Sequence, residues 1–383
     1  MKKLFALLIV LCIVFFRCTT EKNTNGTAEG VPLIDFNSLE KNHPSEVYLF
    51  SEIGFFQLGQ KQSVLLSNDI QLQVADNFLF IYDFVKKSFY RFSMDGQLIN
   101  TIGLSGKGPE EHTQVLSFAV NTQKKMVEAL CNHGREIKQY SYKGDFISTF
   151  NTPVRTDGFS ITSDSKYWFY SAIGNGETDY RLHYAETIDN LESFLPLKTE
   201  CFGVQEQNFT KNGNEIWFRE SFFPTIYKLD SGIVIPKYKI GFGKGEINEA
   251  DFIHAKDPFL YIETINKEGF YTTINLVVNN SFVNIPIIWQ SENSIEIYEL
   301  LLFKDSKKNL LVYYKDEVYK KLISSSKLVF IDGQNTLHYI TSALAFISFI
   351  KESGLKVDIS NIDIQGNQVV YTLPIIKLDK FND

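Results

Sequence analysis

The feature that most constrains this 383-residue chain is an internal repeat. Residues 88–102 (SFYRFSMDGQLINTI) align without a gap with residues 136–150 (EIKQYSYKGDFISTF), 48 positions later. Both copies place apolar residues around a shared glycine, Gly96 in the first and Gly144 in the second, and residues 225–235 form a third copy if one residue is dropped before Gly232. Each copy predicts two strands around a turn, and a period of about 40–50 residues is typical of β-propeller blades.

The rest of the chain continues this pattern of short strands and tight turns. Apolar and aromatic runs occur at 77–83, 166–172, 214–220, 225–236, 309–316 and 367–378. Turn-forming pairs lie between such runs at 95–96, 143–144, 231–232 and 279–280, as in β-hairpins. Aromatic residues make up 14% of the chain, which suits half-buried β surface. The length that remains after an N-terminal tether predicts six or seven blades of four strands.

One segment near the C-terminus breaks the strand pattern. Residues 341–353 (TSALAFISFIKES) carry apolar side chains at helix-like spacing, and Gly354 follows as a stop signal. A buried strand is the alternative interpretation of so apolar a run. Its length favours a helix, the one convincing helical segment that we find between about Pro32 and Asp383.

The N-terminus predicts export. Lys2 and Lys3 precede an unbroken apolar run of thirteen residues from Leu4 to Phe16. A membrane-spanning helix needs about 20 such residues, so the run is short for a span and fits the apolar part of a secretory signal. We therefore expect residues 1–17 to be a signal peptide.

Cys18 follows this run and opens a polar stretch. The arrangement resembles a bacterial lipoprotein signal, which implies a diacylglycerol on the Cys18 thiol and a membrane as partner. Arg17 stands where such signals place a small residue, and an uncleaved N-terminal anchor is the alternative. Residues 18–31 are polar and predict a flexible tether, which leaves residues 32–383 as one propeller domain.

Two segments resemble the six-bladed β-propeller lipoproteins of Gram-negative bacteria, which have NHL-like blades. In residues 77–121 the matching positions are Asp83, Gly96, Ile102, Gly103, Gly106, Gly108, Pro109 and Glu111, while Glu110 and His112 replace a glycine and an aromatic residue. In residues 216–247 the matching positions are Arg219, Glu220, Thr225, Ile226, Tyr227, Pro236, Phe242, Gly243 and Lys244. The resemblance implies an all-β fold, a six-bladed propeller of four-stranded antiparallel blades, located in the cell envelope as an outer-membrane lipoprotein on the periplasmic or surface side.

Four residues are candidate binding residues. Lys107 and His112 belong to the glycine-rich loop 103–112, which lacks the sequence and the strand-to-helix context of a phosphate-binding P-loop, so a plain connection between blades is the alternative. Arg219 and Glu220 follow an aromatic strand, where neighbours point to opposite faces, so one of them could face the channel. The alternative for this pair is an exposed ion pair at the rim.

Other chemistry is weakly represented. The sequence has no H-E-x-x-H, G-x-S-x-G or EF-hand motif, and its six histidines show no metal-ligand spacing. No catalytic residue, metal ligand or cofactor is therefore predicted, although a propeller channel could gather a divalent metal from separate blades. Cys131 and Cys201 could form a disulfide, but separate buried thiols are the more usual arrangement. The net charge of −7 and the lack of a basic stripe exclude nucleic acid as an expected partner.

These observations favour a monomeric, lipid-anchored propeller that acts as a non-catalytic binding or scaffolding module, with an envelope protein or a glycan as ligand. The alternative is a lyase or hydrolase with a metal in the central channel. A carbohydrate sensor is a third hypothesis, which would require exposed aromatic residues. Trp168, Trp217 and Trp289 are few, and we expect them in the core.

Overall fold

The computed structural model describes most of the chain. Its described residues are 30–59, 64–171, 178–187, 189–196, 207–248, 258–306, 308–364 and 368–376. The predicted signal peptide, Cys18 and most of the predicted tether lie outside these residues.

The chain begins with a segment that lies outside the blade repeat. Residues 30–57, here named the belt, contain three short strands and one α-helical turn, besides two 3-10 turns. These are β1 (Leu33–Asp35), β2 (Lys41–Asn42), α1 (Pro44–Val47) and β3 (Gly54–Gln57).

Blades 1 to 3 are each built from four consecutive antiparallel strands. Blade 1 contains β4 (Ile70–Ala75), β5 (Phe78–Asp83), β6 (Ser88–Ser93) and β7 (Leu98–Ile102). Blade 2 contains β8 (Ser117–Asn121), β9 (Met126–Cys131), β10 (Glu136–Ser141) and β11 (Phe146–Asn151). Blade 3 contains β12 (Gly158–Ile161), β13 (Tyr167–Tyr170), β14 (Tyr180–Thr187) and β15 (Asn190–Pro196).

Blades 4 to 6 each include a strand of the belt. Blade 4 contains β16 (Phe209–Asn212), β17 (Glu215–Glu220), β18 (Phe223–Asp230) and β19 (Ile233–Gly241), with β1 added outside β19. Blade 5 contains β20 (Phe270–Thr273), β21 (Val277–Val278), β22 (Phe282–Gln290), β23 (Ile295–Phe303) and β24 (Asn309–Tyr313), with β2 added outside β24. Blade 6 contains β25 (Ser326–Ile331), β26 (Thr336–Thr341) and β27 (Val369–Pro374), with β3 as its outer strand.

The six blades close into a ring. The inner strands contact one another in the order β4, β8, β12, β16, β21 and β25, and β25 returns to β4. Closure covers the broad faces of every blade, which explains how the chain buries its high apolar content. The predicted all-β fold with six antiparallel blades is confirmed.

The repeated glycines explain why the 48-residue pattern is visible in the sequence. Gly96 and Gly144 occupy the turns β6–β7 and β10–β11 with φ angles of +85° and +103°. A Cβ atom at either position would also lie 2.8 Å from a backbone oxygen, that of Gln57 or of Thr101. Both turns therefore need glycine, for conformation and for space.

The belt joins the outer strands of three blades. β1 and β2 pair in parallel with β19 and β24, and β3 pairs antiparallel with β27. Between blades 4 and 5, the Phe36 ring is 1% exposed and packs 4.9 Å from the Tyr271 ring, centroid to centroid.

A buried carboxylate fixes the belt to blades 5 and 6. The side chain of Glu299, on β23, accepts hydrogen bonds from the hydroxyls of Tyr48 at 2.5 Å, Tyr314 at 2.8 Å and Tyr339 at 2.7 Å. Tyr48 belongs to the belt, Tyr314 follows blade 5 and Tyr339 lies in blade 6. Burial raises the pKa of Glu299 although the three hydroxyls act in the opposite direction.

Three longer helices occupy the connections: α2 (Pro258–Glu268), α3 (Glu317–Ser324) and α4 (Ala343–Ser353). The predicted helix at 341–353 is confirmed as α4, which is capped by Ser342 and ends at Gly354 in the left-handed region. The expectation of only one helix was wrong. The helix α3 has eight residues, and Val318, Tyr319, Leu322 and Ile323 pack one of its faces against the core. So short an apolar run is difficult to distinguish from a strand by its pattern alone.

The tryptophans pack largely as predicted. Trp168 and Trp217 are buried, while Trp289 is half-buried. The thiol of Cys131 is free and buried, and Cys201 lies outside the described residues.

Candidate functional site

The two ends of the ring differ in their connections. Inner strands begin at one end, here named the top, which also collects the links between blades and the three longer helices. The opposite end, the bottom, is formed by short turns such as 76–77, 95–97 and 213–214. Because loops carry most recognition residues, the top is the better candidate for a functional face.

The inner strands enclose a central channel, and two cavities are lined by its described residues. The lower cavity, of about 450 Å³, is lined by all six blades and reaches the bottom turns. The upper cavity, of about 300 Å³, lies at the top mouth and is here named the mouth pocket. Its polar wall consists of Asp69, Gln71, Ser117, Gln207 and Lys327.

Lys327 is the principal cationic group of the mouth pocket. It lies near the start of β25, and its Nζ atom donates to the carbonyl oxygen of Ile70 at 3.5 Å. Burial lowers the pKa of Lys327; Asp69 opposes this shift and Arg219 adds to it. An ammonium group has three donors, and this one long bond leaves it poorly satisfied.

A second channel lysine, Lys211, lines the lower cavity near the end of β16. Its Nζ atom donates to the carbonyl oxygen of Ile161 at 2.8 Å, a normal bond to the neighbouring blade. Burial lowers the pKa of Lys211 as well. The two lysines therefore share a desolvated setting, but Lys211 has the better acceptor.

Sequence reasoning missed both lysines. Lys327 precedes an apolar strand and Lys211 precedes an Asn-Gly turn, positions that usually hold exposed charge. The only signal was their place on the innermost strand of a blade, which the repeat could have indicated.

Arg219 lies in the interface of blades 4 and 5. It is fully buried, and its Nη1 atom donates to the Thr273 carbonyl oxygen at 2.8 Å and to the Ser221 hydroxyl at 3.0 Å. Its Nη2 atom donates to the carbonyl oxygen of Ile274. The guanidinium thereby joins the top of β17 to the inner strand of the next blade.

Glu220 points the opposite way, into the interface of blades 3 and 4. Its carboxylate accepts from Arg181 Nη1 at 2.8 Å and from the Tyr170 hydroxyl at 2.9 Å. The Arg181 guanidinium also covers the Phe223 ring at 4.4 Å. The expectation of opposite faces is confirmed, whereas the exposed rim pair was wrong because both side chains are buried.

The loop that carries Lys107 and His112 is closed by its own contacts. The His112 amide donates to the Leu104 carbonyl oxygen at 2.9 Å, and the Gly106 amide donates to the His112 carbonyl oxygen at 3.0 Å. The Glu111 carboxylate accepts from the Gly108 amide at 2.8 Å, inside the loop. Glu111 thus takes the place that an anion would occupy, and Lys107 stays exposed on the top face.

His112 lies beneath this loop and is fully buried among aromatic rings. Phe89, Tyr82 and Tyr140 meet its imidazole edge to face, with centroids 5.2 to 6.0 Å away. Burial lowers the pKa of His112 to about 4, so the ring is neutral at physiological pH. Neither the loop residues nor the Arg219–Glu220 pair lines the mouth pocket, and their predicted binding role stays a prediction.

Within the part of the chain that the structure describes, no three His, Cys, Asp or Glu side chains are grouped to hold a metal ion. In the same described residues, no helix is long and apolar enough to cross a bilayer.

Comparison with known proteins identifies a matching family and two structures of similar fold. A family described as "Domain of unknown function (DUF4934)" matches residues 33–373. A crystal structure of a proposed exported protein from Bacteroides fragilis shares 17% identity at a TM-score of 0.72, over 91% of this chain and 99% of that one. A member of the DUF4221 family from Bacteroides vulgatus shares 11% identity at a TM-score of 0.55, over 87% of this chain and 99% of that one.

Among curated proteins, none matches this sequence. At such low identities the two structures support the fold alone. The likeness to NHL-like lipoproteins stays a prediction.

Proposed function

This chain belongs to the DUF4934 family, and from that premise we propose that it is an exported, lipid-anchored propeller that acts as a non-catalytic binding module of the cell envelope. The top face, around the mouth pocket, would be the recognition surface.

The observation that carries this proposal is the difference between the two ends of the ring. The top combines long connections with an open polar pocket of about 300 Å³, which is the size of a small-ligand site. In the described residues the bottom is formed by short turns around the opening of the lower cavity. A rigid ring that presents variable loops at one end is a common plan for a binding protein.

The envelope location rests on the leader sequence. Lys2, Lys3 and the thirteen-residue apolar run support export, and Cys18 supports attachment through a lipid. The Bacteroides fragilis protein with the same fold is itself described as a proposed exported protein, which agrees with this location. Mass measurement of the mature N-terminus tests the anchor, and an unacylated Cys18 or a retained leader would contradict it.

The binding face can be tested with two matched substitutions in the full-length, acylated protein. Lys107→Glu changes an exposed lysine on the top face, and Lys143→Glu makes the same change in the bottom turn β10–β11. Both variants and the native protein are immobilised and incubated with envelope extract, and bound protein and glycan are quantified.

We expect at least a threefold loss of bound material for Lys107→Glu and none for Lys143→Glu. Equal retention by all three proteins, or a loss confined to Lys143→Glu, would contradict recognition at the top face. Thermal unfolding of each variant serves as the control for folding.

A further inference from the structure

The mouth pocket contains a cation whose hydrogen-bonding capacity is largely unused. Lys327 Nζ has one long contact, 3.5 Å to a neutral carbonyl oxygen. Within the described residues, no carboxylate lies within 4.0 Å of this nitrogen. Lys327 is half-buried, and an anionic acceptor is the strongest hydrogen-bonding partner for an ammonium group.

The charges around Lys327 leave its ammonium group without a direct ionic partner. Asp69 lines the same pocket and acts on Lys327 more strongly than Arg219 does, but it forms no ion pair with the lysine. The carboxylate of Glu220 is already paired with Arg181. An anionic ligand could therefore reach Lys327 without displacing an ion pair.

The rest of the pocket wall can hold the body of a ligand. Ser117 and Gln207 offer a hydroxyl and an amide, while Phe84 and Leu116 add apolar surface. Gln71 is already engaged, because its amide group bonds with the backbone of Phe118 on blade 2 at 3.2 and 3.3 Å. A volume of about 300 Å³ suits a molecule the size of a monosaccharide.

From this geometry we propose that the mouth pocket binds a small organic oxyanion, whose carboxylate or phosphate oxygens accept hydrogen bonds from Lys327. The inference rests on the proposed binding function and names the ligand chemistry of its site. Lys211 offers the matched contrast, because it is also a desolvated channel lysine but has a 2.8 Å acceptor.

The test is calorimetric titration of the full-length protein with three probes of similar size: glucuronate, glucose 6-phosphate and glucose. We expect saturable binding of glucuronate, of glucose 6-phosphate or of both, and at least tenfold weaker binding of glucose. Binding of one charged sugar alone identifies the anion as a carboxylate or as a phosphate. If neither binds, or if glucose binds as tightly, the proposal is overturned.

Substitutions then assign the site. Lys327→Met should weaken binding of the charged sugar at least tenfold, whereas Lys211→Met should change it less than twofold. Equal losses in both variants, or no loss in Lys327→Met, would overturn the assignment.

Chemical labelling of the native protein covers the case in which Lys327→Met does not fold. A lysine of lowered pKa in an open pocket should react early with an amine-selective reagent, and the charged sugar should protect it. Labelling of Lys327 that the charged sugar does not slow would overturn the proposal. If top-face capture still depends on Lys107 while no oxyanion binds, this inference fails and the proposed function stands.

Discussion

Blades 1 to 3 and blades 4 to 6 are built by different rules. Each blade of the first half consists of four consecutive strands, and in the described residues no further strand pairs with its outer strand. Each blade of the second half includes a strand from the belt, which is distant in sequence. In the first half the strand pairing is local to each blade, whereas in the second half one segment pairs with three blades. Four predictions test this difference.

The largest expected effect is in the belt. Phe36→Ala removes a buried ring between blades 4 and 5, and we expect a loss of about 3–5 kcal/mol in the free energy of unfolding. Ile147→Ala, on the open outer strand of blade 2, removes a side chain that is 47% exposed and should cost less than about 0.5 kcal/mol. Urea unfolding measures both. Equal losses would remove the distinction between the halves.

The second-largest loss of stability is expected at the interface of blades 3 and 4, where the two halves meet. Glu220→Gln leaves Arg181 buried without its carboxylate, and we expect a loss of about 3 kcal/mol or more. The double variant Arg181→Met with Glu220→Met removes both charges and should be the more stable of the two, as measured by thermal unfolding. A double variant less stable than Glu220→Gln would contradict a penalty from uncompensated charge.

Removal of a single tyrosine hydroxyl in each half gives a finer comparison of their stabilities. Tyr48→Phe removes one of three donors to the fully buried Glu299, at an expected loss of about 2 kcal/mol. Tyr142→Phe removes a donor to Asp76, which is partly exposed and keeps Lys125 as a partner, and should cost about 0.5 kcal/mol. Chemical unfolding at neutral pH gives both values, and a larger loss for Tyr142→Phe would be the contrary result.

The smallest effect concerns pH. The pKa of Glu299 is raised above its ordinary value of 4.5, so the unfolded chain ionises this group first. Stability present below pH 4.5 is then lost as the pH rises through the folded-state pKa. The free energy of unfolding should therefore decline from about pH 4.5 to about pH 7, and Glu299→Gln should make this decline shallower. An unchanged slope would show that other groups cause it.

The fold could be predicted where the sequence repeats itself. Gly96 and Gly144 occupy equivalent turns that only glycine fits, and the period they mark is one blade. The belt could not be predicted, because β1 and β2 have only three and two residues and their partners are some two hundred residues or more away. Propensity and periodicity say nothing about such distant pairings.

The site was predicted less well for a similar reason. Arg219 and Glu220 were recognised as unusual, and the rule of alternating faces gave their opposite directions. Lys327 was missed because its importance depends on residues of blades 1, 2 and 4, which complete the mouth pocket around it. The pocket around this lysine exists only when the ring has closed, so the sequence alone does not distinguish Lys327 from other lysines.

The pairing of β3 with β27 has a consequence for how the molecule forms. It joins residues 54–57 to residues 369–372, so blade 6 cannot be completed until nearly the whole chain is available. Pairings of such high sequence separation are slow to form, because the entropy of loop closure must be lost first. Blades 1 to 3 can assemble early from local hairpins, and we expect ring closure to be the late, rate-limiting step of folding.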